Sequence, residues 1–219
     1  MATQRTFLFR SIWATIFATF LAAGNLAAGE LLNIDFGQAG NPAFRTKTGA
    51  AAIGLTENDY WNSYGGGTSS GTGLKWSDGT TSPISISGNT TGQWYTWNYD
   101  AMFQSYIYAG GPIIHTLSGT PAGQYDIYVY AHGQPPQEGS QVQITVGSRT
   151  LSTRSTSVAS DWDKPEWTEN SHYVLFTNVA VAAGENLTMT VSPVMSVAAF
   201  LNGHQVRAGD RFTSAPSVP

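Results

Sequence analysis

The sequence predicts an all-β protein, a two-sheet antiparallel β-sandwich of about nine to eleven short strands. Three observations point there. Charged residues are only 11% of the 219, against about 25% in ordinary soluble proteins. Aromatics reach 12%, with 24 Gly and 10 Pro, a composition suited to pleated surfaces joined by many turns. Apolar side chains recur with period two rather than 3.6, and turn signals return every ~8–12 residues. The same composition excludes a charge-laced coiled coil, a basic nucleic-acid arm and an acidic disordered tail.

Residues 1–29 read as a secretory signal peptide. Met1 to Arg10 carries Arg5 and Arg10 and no acid. The run Ile12 to Ala23 is apolar apart from Thr15 and Thr19, and it exits through Ala22-Ala23-Gly24 and Ala27-Ala28-Gly29. A basic start, a short apolar core and a small-residue exit define that signal, with cleavage expected near Ala28 or Gly29. The alternative is an uncleaved anchor, but the run is shorter than the ~20 residues a spanning helix needs. The mature chain is therefore expected to be secreted, extracellular or periplasmic, without a membrane span. The net charge of −4 becomes more negative once the two arginines leave, which argues against nucleic acid and anionic membrane as partners. There is no Cys, so the core must hold the fold unaided. Export without cysteine favours a bacterial source. Residues 30–208 are expected to form the sandwich, and residues 209–219 a disordered Ser/Pro-rich tail.

The strands follow in order. Leu31 to Phe36 opens the domain. Ser63 to Gly73 is low in complexity and reads as a long flexible loop. Ile84 to Ser87 precedes a turn signal at Gly88-Asn89. Trp94 to Tyr99 and Phe103 to Tyr108 are aromatic-rich, and Gly110-Gly111-Pro112 closes the second. Ile113 to Leu117 leads to the turn Pro121-Ala122-Gly123. Tyr125 to Ala131 and Gln141 to Val146 alternate without a break. Tyr173 to Val181 and Leu187 to Val191 flank Ala183-Gly184-Glu185-Asn186. Val197 to Leu201 precedes a turn at Asn202-Gly203, and Gln205-Val206 ends the domain.

Alternation assigns faces. Tyr125, Ile127, Val129 and Ala131 form a core face; Asp126, Tyr128, Tyr130 and His132 form the other. Rings, a carboxylate and an imidazole in a row suit a sugar, which needs a flat ring for its C–H face and polar groups for its hydroxyls. The alternative makes Tyr128 and Tyr130 a second packing layer beneath the long loops. Three aromatic clusters compete for a site. Tyr60 and Trp61 enter the Gly-rich segment. Trp94 to Asp100, with Tyr106 and Tyr108 nearby, reads more readily as core. Trp162 and Trp167 sit in an acidic loop with Asp161, Asp163, Glu166 and Glu169. Four closely spaced carboxylates offer the hard oxygens that Ca²⁺ takes; the alternative is a solvated acidic loop whose rings fold back on the sandwich. No EF-hand pattern is present.

Catalytic signatures are missing. There is no Gly-x-Ser-x-Gly elbow and no His-Glu-x-x-His, and His115, His132, His172 and His204 are scattered. A glycosidase needs two carboxylates facing across a cleft, and nothing selects a pair from the acidic loop. The expectation is a non-catalytic protein.

Leu32-Asn33-Ile34-Asp35-Phe36-Gly37 resembles the opening strand of malectin-like and other galactose-binding-like jelly-roll domains. Thr120 to Tyr130 resembles their turn followed by a Tyr-x-hydrophobic-x-hydrophobic strand, and Ala198 to Val206 is similar to their closing strand. The resemblance spans about Leu31 to Val206. It implies a jelly roll, carbohydrate binding through loop or sheet aromatics, and often a structural Ca²⁺ with no other cofactor. The expected function is a secreted carbohydrate-binding module whose partner is a polysaccharide or glycan. The expected ligand residues are Trp162, Trp167, Tyr60, Trp61, Tyr128, Tyr130 and His132, and Asp161, Asp163, Glu166 and Glu169 are the candidate metal ligands. The alternatives are a structural envelope or matrix protein with no small ligand, and a glycan-active enzyme using the loop carboxylates.

Overall fold

The computed structural model describes residues 31–37, 46–96, 100–133, 138–156, 166–194 and 196–209. The expected signal peptide, the tail from residue 210 onward, and Asp161, Trp162 and Asp163 lie outside the described residues.

The described residues form fourteen strands: β1 (Leu31–Phe36), β2 (Asn62–Tyr64), β3 (Gly67–Gly71), β4 (Ser85–Tyr95), β5 (Ser105–Ala109), β6 (Ile113–Ser118), β7 (Gly123–Tyr130), β8 (Ser140–Val146), β9 (Arg149–Thr150), β10 (Arg154–Ser155), β11 (Val174–Val181), β12 (Leu187–Pro193), β13 (Ala199–Leu201) and β14 (Gly203–Ala208). They make two sheets. The five-stranded sheet runs β11-β7-β14-β1-β2, antiparallel except for β1 and β2. The nine-stranded sheet runs β10-β8-β12-β6-β4-β5-β13, with β3 added to β4 and β9 to β8. The all-β sandwich is the predicted class. The strand number exceeds the expectation because several strands are too short or too Gly-rich to show a hydrophobic period.

The core lies between the sheets. Leu32, Ile34 and Phe36 of β1, Ile127 and Val129 of β7 and Val206 of β14 meet Ile86, Ile107, Leu117, Ile144 and Met189 of the opposite sheet. Each contributes alternate residues, as period two requires.

Two turn signals are used differently from expectation. Gly88-Asn89 does not end a strand; β4 runs through it. Gly88 is the position over which the His115 ring lies, since a Cβ there would collide with the ring. Asn89 reaches across the edge instead, donating to Pro112 O (2.9 Å) and accepting from Ile114 N (2.8 Å). Likewise Asn202-Gly203 joins strands of different sheets rather than a hairpin. The Asn202 side chain accepts from His132 N (2.8 Å) and donates to Ser105 O (3.1 Å), so it fastens the crossing to both sheets. The segment read as a flexible loop holds β2 and β3: Gly67–Gly71 pairs with β4 through backbone bonds that need no side chain.

In the nine-stranded sheet β5 and β6 follow one edge of β4, interrupted at Gly110-Gly111-Pro112. β13 pairs with β5 and β12 with β6, so the break between β12 and β13 falls opposite the break between β5 and β6.

Candidate ligand-binding face

The tyrosine face of β7 is not open. Loop residues Ala51 and Trp61 and the 3-10 turn Ala101–Phe103 cover it, forming a second cluster with Tyr128 and Tyr130. The Tyr130 hydroxyl donates to Gln205 Oε1 and accepts from Ala52 N (3.0 Å). Gln205 Nε2 in turn donates to Asn33 Oδ1 (2.8 Å) and Ile53 O (3.1 Å). Burial holds the Tyr130 phenol far above its ordinary pKa. These bonds fasten the loop to the sheet, because a buried hydroxyl or amide left unpaired would be costly.

This corrects part of the expected site. Tyr130 and His132 are fully buried and Tyr128 is 7% exposed. Trp61 is 3% exposed and donates its indole N–H to Gly49 O (2.8 Å). None of the four presents a ring to solvent. The second-layer alternative describes Tyr128 and Tyr130. Its physical cause is the covering loop, which period two within β7 cannot register.

The other expected residues are dispersed. Tyr60 is 40% exposed, and Lys75 Nζ stands 5.1 Å from its ring centroid. Trp167 is half-buried against Phe103 and Tyr130, with centroids at 5.6 and 5.2 Å. Glu166 is exposed, and Glu169 faces Arg154 at 3.4 Å. Among the described residues no group of three or more His, Asp or Glu side chains is placed to share a metal ion. Glu166 and Glu169 alone do not fit the six to eight oxygens of a Ca²⁺ site; Asp161, Asp163 and Trp162 are outside the described residues.

Exposed rings occur on the opposite sheet. β4 and β5 pair Gly92 with Tyr108 and Trp94 with Tyr106, and β13 sets Phe200 against Tyr108. Ile107 and Leu201, the intervening residues, face the core, so this aromatic set faces outward. Trp94 is 51% and Tyr108 38% exposed. Gly92 lets the Tyr108 ring lie on the backbone: a Cβ there would sit 2.6 Å from a ring carbon. Beside them Tyr106 and Phe200 pack edge to face at 5.3 Å and are buried. Burial first, then the charges of Glu138 and Tyr108, hold the Tyr106 phenol well above its usual range, so it stays a neutral donor. Trp94 stacks on Tyr95 at 5.4 Å with 17° between planes. Ile114, Val194 and Val197 are also exposed, on β6 and in the segment joining β12 to β13.

Sequence reasoning singled out this cluster but favoured it as core. The run Trp94 to Tyr99 reads as a strand alternating aromatic and polar residues, and alternation does not say whether its aromatic face is covered. The usable signal was Gly92, a missing side chain two residues before an indole, which leaves room for a ring on the next strand.

Burial shifts three groups between or beside the sheets, His115, His204 and Asp35, toward their neutral forms. His115 and His204 are buried between the sheets, pushed down to about 4 and about 3. Burial raises Asp35 to about 7, against the lowering effect of the Lys47 backbone N–H, which donates to Asp35 Oδ2 at 3.0 Å.

No family model matches the chain, and no curated protein matches it. Solved structures do. TmCBM61 in complex with β-1,4-galactotriose is 17% identical, with a TM-score of 0.35 over 58% of this chain and 90% of that one. The CBM36-1 domain of a multidomain xylanase from the hindgut metagenome of Trinervitermes trinervoides is 15% identical, with a TM-score of 0.35 over 57% of this chain and 98% of that one. The plant receptor-like kinase FER is 16% identical, with a TM-score of 0.45 over 84% of this chain and 44% of that one. This chain resembles all three in outline; what it binds has to be argued from its own residues.

Proposed function

We propose that this is a secreted, non-catalytic carbohydrate-binding domain that holds a polysaccharide on the outer face of its nine-stranded sheet. The observation that carries the reading is the pair of exposed rings, Trp94 and Tyr108, on the same sheet face as the packed Tyr106–Phe200 pair and in register with it. A pyranose presents one face of C–H groups and an equator of hydroxyls. Flat rings take the first by dispersion, and neutral polar groups take the second. Tyr60 and Trp167 are proposed as secondary contacts elsewhere on the domain, and Trp162, which lies outside the described residues, is kept as a proposed contact on the strength of the sequence alone.

A second reading has its own support. Trp61, Tyr130 and His132 are used for packing, as in a structural envelope or matrix protein with no small ligand. Affinity electrophoresis separates the two. Native gels containing galactan, mannan, arabinoxylan or mixed-linkage β-glucan should retard the wild type in at least one case. Trp94→Ala and Tyr108→Ala should then run as they do in a sugar-free gel. Free migration of the wild type in every gel would leave the structural reading.

A further inference from the structure

The outer face of the nine-stranded sheet carries a second feature, which neither the core nor the aromatic patch uses. Thr150 of β9 pairs with Thr145 of β8, Thr145 with Thr188 of β12, and Thr188 with Thr116 of β6. Thr116 pairs with Ser87 of β4, and Ser87 with Ser70 of β3. Six hydroxyl residues thus stand in one register row across six strands. Their chain neighbours Val146, Leu187, Leu117 and Ile86 face the core, so the row faces outward. Thr150, Ser87 and Ser70 are exposed; Thr145, Thr188 and Thr116 are half-buried by their neighbours.

The row is unbroken from strand to strand and uncharged. Five inter-strand steps of about 4.8 Å give it a length of roughly 24 Å. Two of its contacts are hydroxyl pairs, Thr145 with Thr150 and Thr116 with Thr188, each at 3.1 Å. Each pair uses one proton, so one hydroxyl of each pair keeps a proton to donate and lone pairs remain on both. The adjacent positions along the strands, Gln143, Thr190 and Ile114, are in register with one another and are also uncharged. A solvated face without a single acid or base along these positions repels nothing and attracts no ion.

We infer that this hydroxyl row is a binding track for one extended, neutral polysaccharide chain, in register with strand spacing and continuous with the aromatic patch on the same face. The inference rests on the glycan-binding reading and names its ligand class. A compact sugar would touch one or two of the six hydroxyls. A linear polymer repeats its own hydroxyls and can meet the whole row, each contact a neutral exchange of donor and acceptor. A polyanionic glycan finds no cation along the row to offset the loss of its hydration.

The test combines Thr116→Val, Thr145→Val and Thr188→Val, which remove hydroxyls while keeping β-branched shape. Thr188→Lys serves as a single-site variant should the triple variant fail to fold, with folding checked by thermal melting. Affinity electrophoresis is run in the four neutral gels and in polygalacturonate. In a gel that retards the wild type, the triple variant should bind at least about tenfold more weakly, Thr188→Lys should be weakened too, and polygalacturonate should retard nothing. If both variants are retarded like the wild type while Trp94→Ala is released, the track is overturned and the glycan-binding reading stands. Strongest retardation by polygalacturonate overturns the neutral-ligand inference. A wild type unretarded in every gel overturns both.

Discussion

His115 and His204 approach the same Phe36 ring from opposite sheets, with centroids 4.5 and 5.6 Å from it. Among the described residues neither imidazole has a hydrogen-bond partner for either nitrogen. Both are held neutral by burial, and His204 is lowered further by its neighbour His115. In the unfolded chain both return to about 6.5. Between pH 6.5 and about 4 the unfolded state therefore binds more protons, and acid destabilises the fold. Asp35 works in the opposite sense. Raised to about 7, it keeps its proton in the fold between about pH 4 and 7, and that contribution is lost as pH rises through 7. Two histidines outweigh one carboxyl below 6.5, and the carboxyl alone acts just above it. A tenfold change in a group's proton affinity between the folded and unfolded chain corresponds to about 1.4 kcal/mol. From these three groups the melting temperature should peak near pH 6.5 and fall steeply toward pH 4. His115→Phe should flatten the acid limb; calorimetry showing identical limbs for the two proteins would count against this account.

Gly88 and His115 form a matched pair, so Gly88→Ala should destabilise by about 1–3 kcal/mol through overpacking. Combining it with His115→Ala should recover part of that loss, giving a coupling of about 0.5 kcal/mol or more. Simple additivity in urea titrations would show that the ring and the glycine are not in contact.

Tyr130→Phe removes one hydroxyl and strands two partners, Gln205 Oε1 and Ala52 N. The expected cost is about 1–3 kcal/mol, read from the urea midpoint. Retardation in a polysaccharide gel should be unchanged, because Tyr130 lies on the far sheet from Trp94.

Trp94→Ala should show the reverse. An indole half-exposed on the surface contributes little to the core, so stability should change by no more than about 1 kcal/mol, while gel retardation is abolished. A large fall in melting temperature would mark Trp94 as structural.

The fold was legible where one face of a strand is apolar. Tyr125 to Ala131 and Gln141 to Val146 each identify a strand and its inner face without ambiguity. Gly67–Gly71 was not legible, because it is held by backbone pairing and its side chains carry no period. Asn202-Gly203 was misread because a turn dipeptide describes local geometry and not which sheet the next strand joins. For the candidate site, the ring-bearing segments were legible but their exposure was not. Ring-bearing segments were identified, yet whether a tyrosine sees solvent depends on what lies above it. Tyr130 is closed by a loop that starts some eighty residues earlier in the chain, while Tyr108 is open because Gly92 leaves its neighbour without a side chain.

The loop that closes over β7 also gives the molecule a front and a back. With one broad surface sealed by Trp61 and the Gln205 network, the other is, among the described residues, the wide sheet surface left to meet another body. Contact made there always approaches from the same direction. Changes to the sealing loop can therefore tune stability without disturbing what the front meets, and residues on the front can vary without loosening the back.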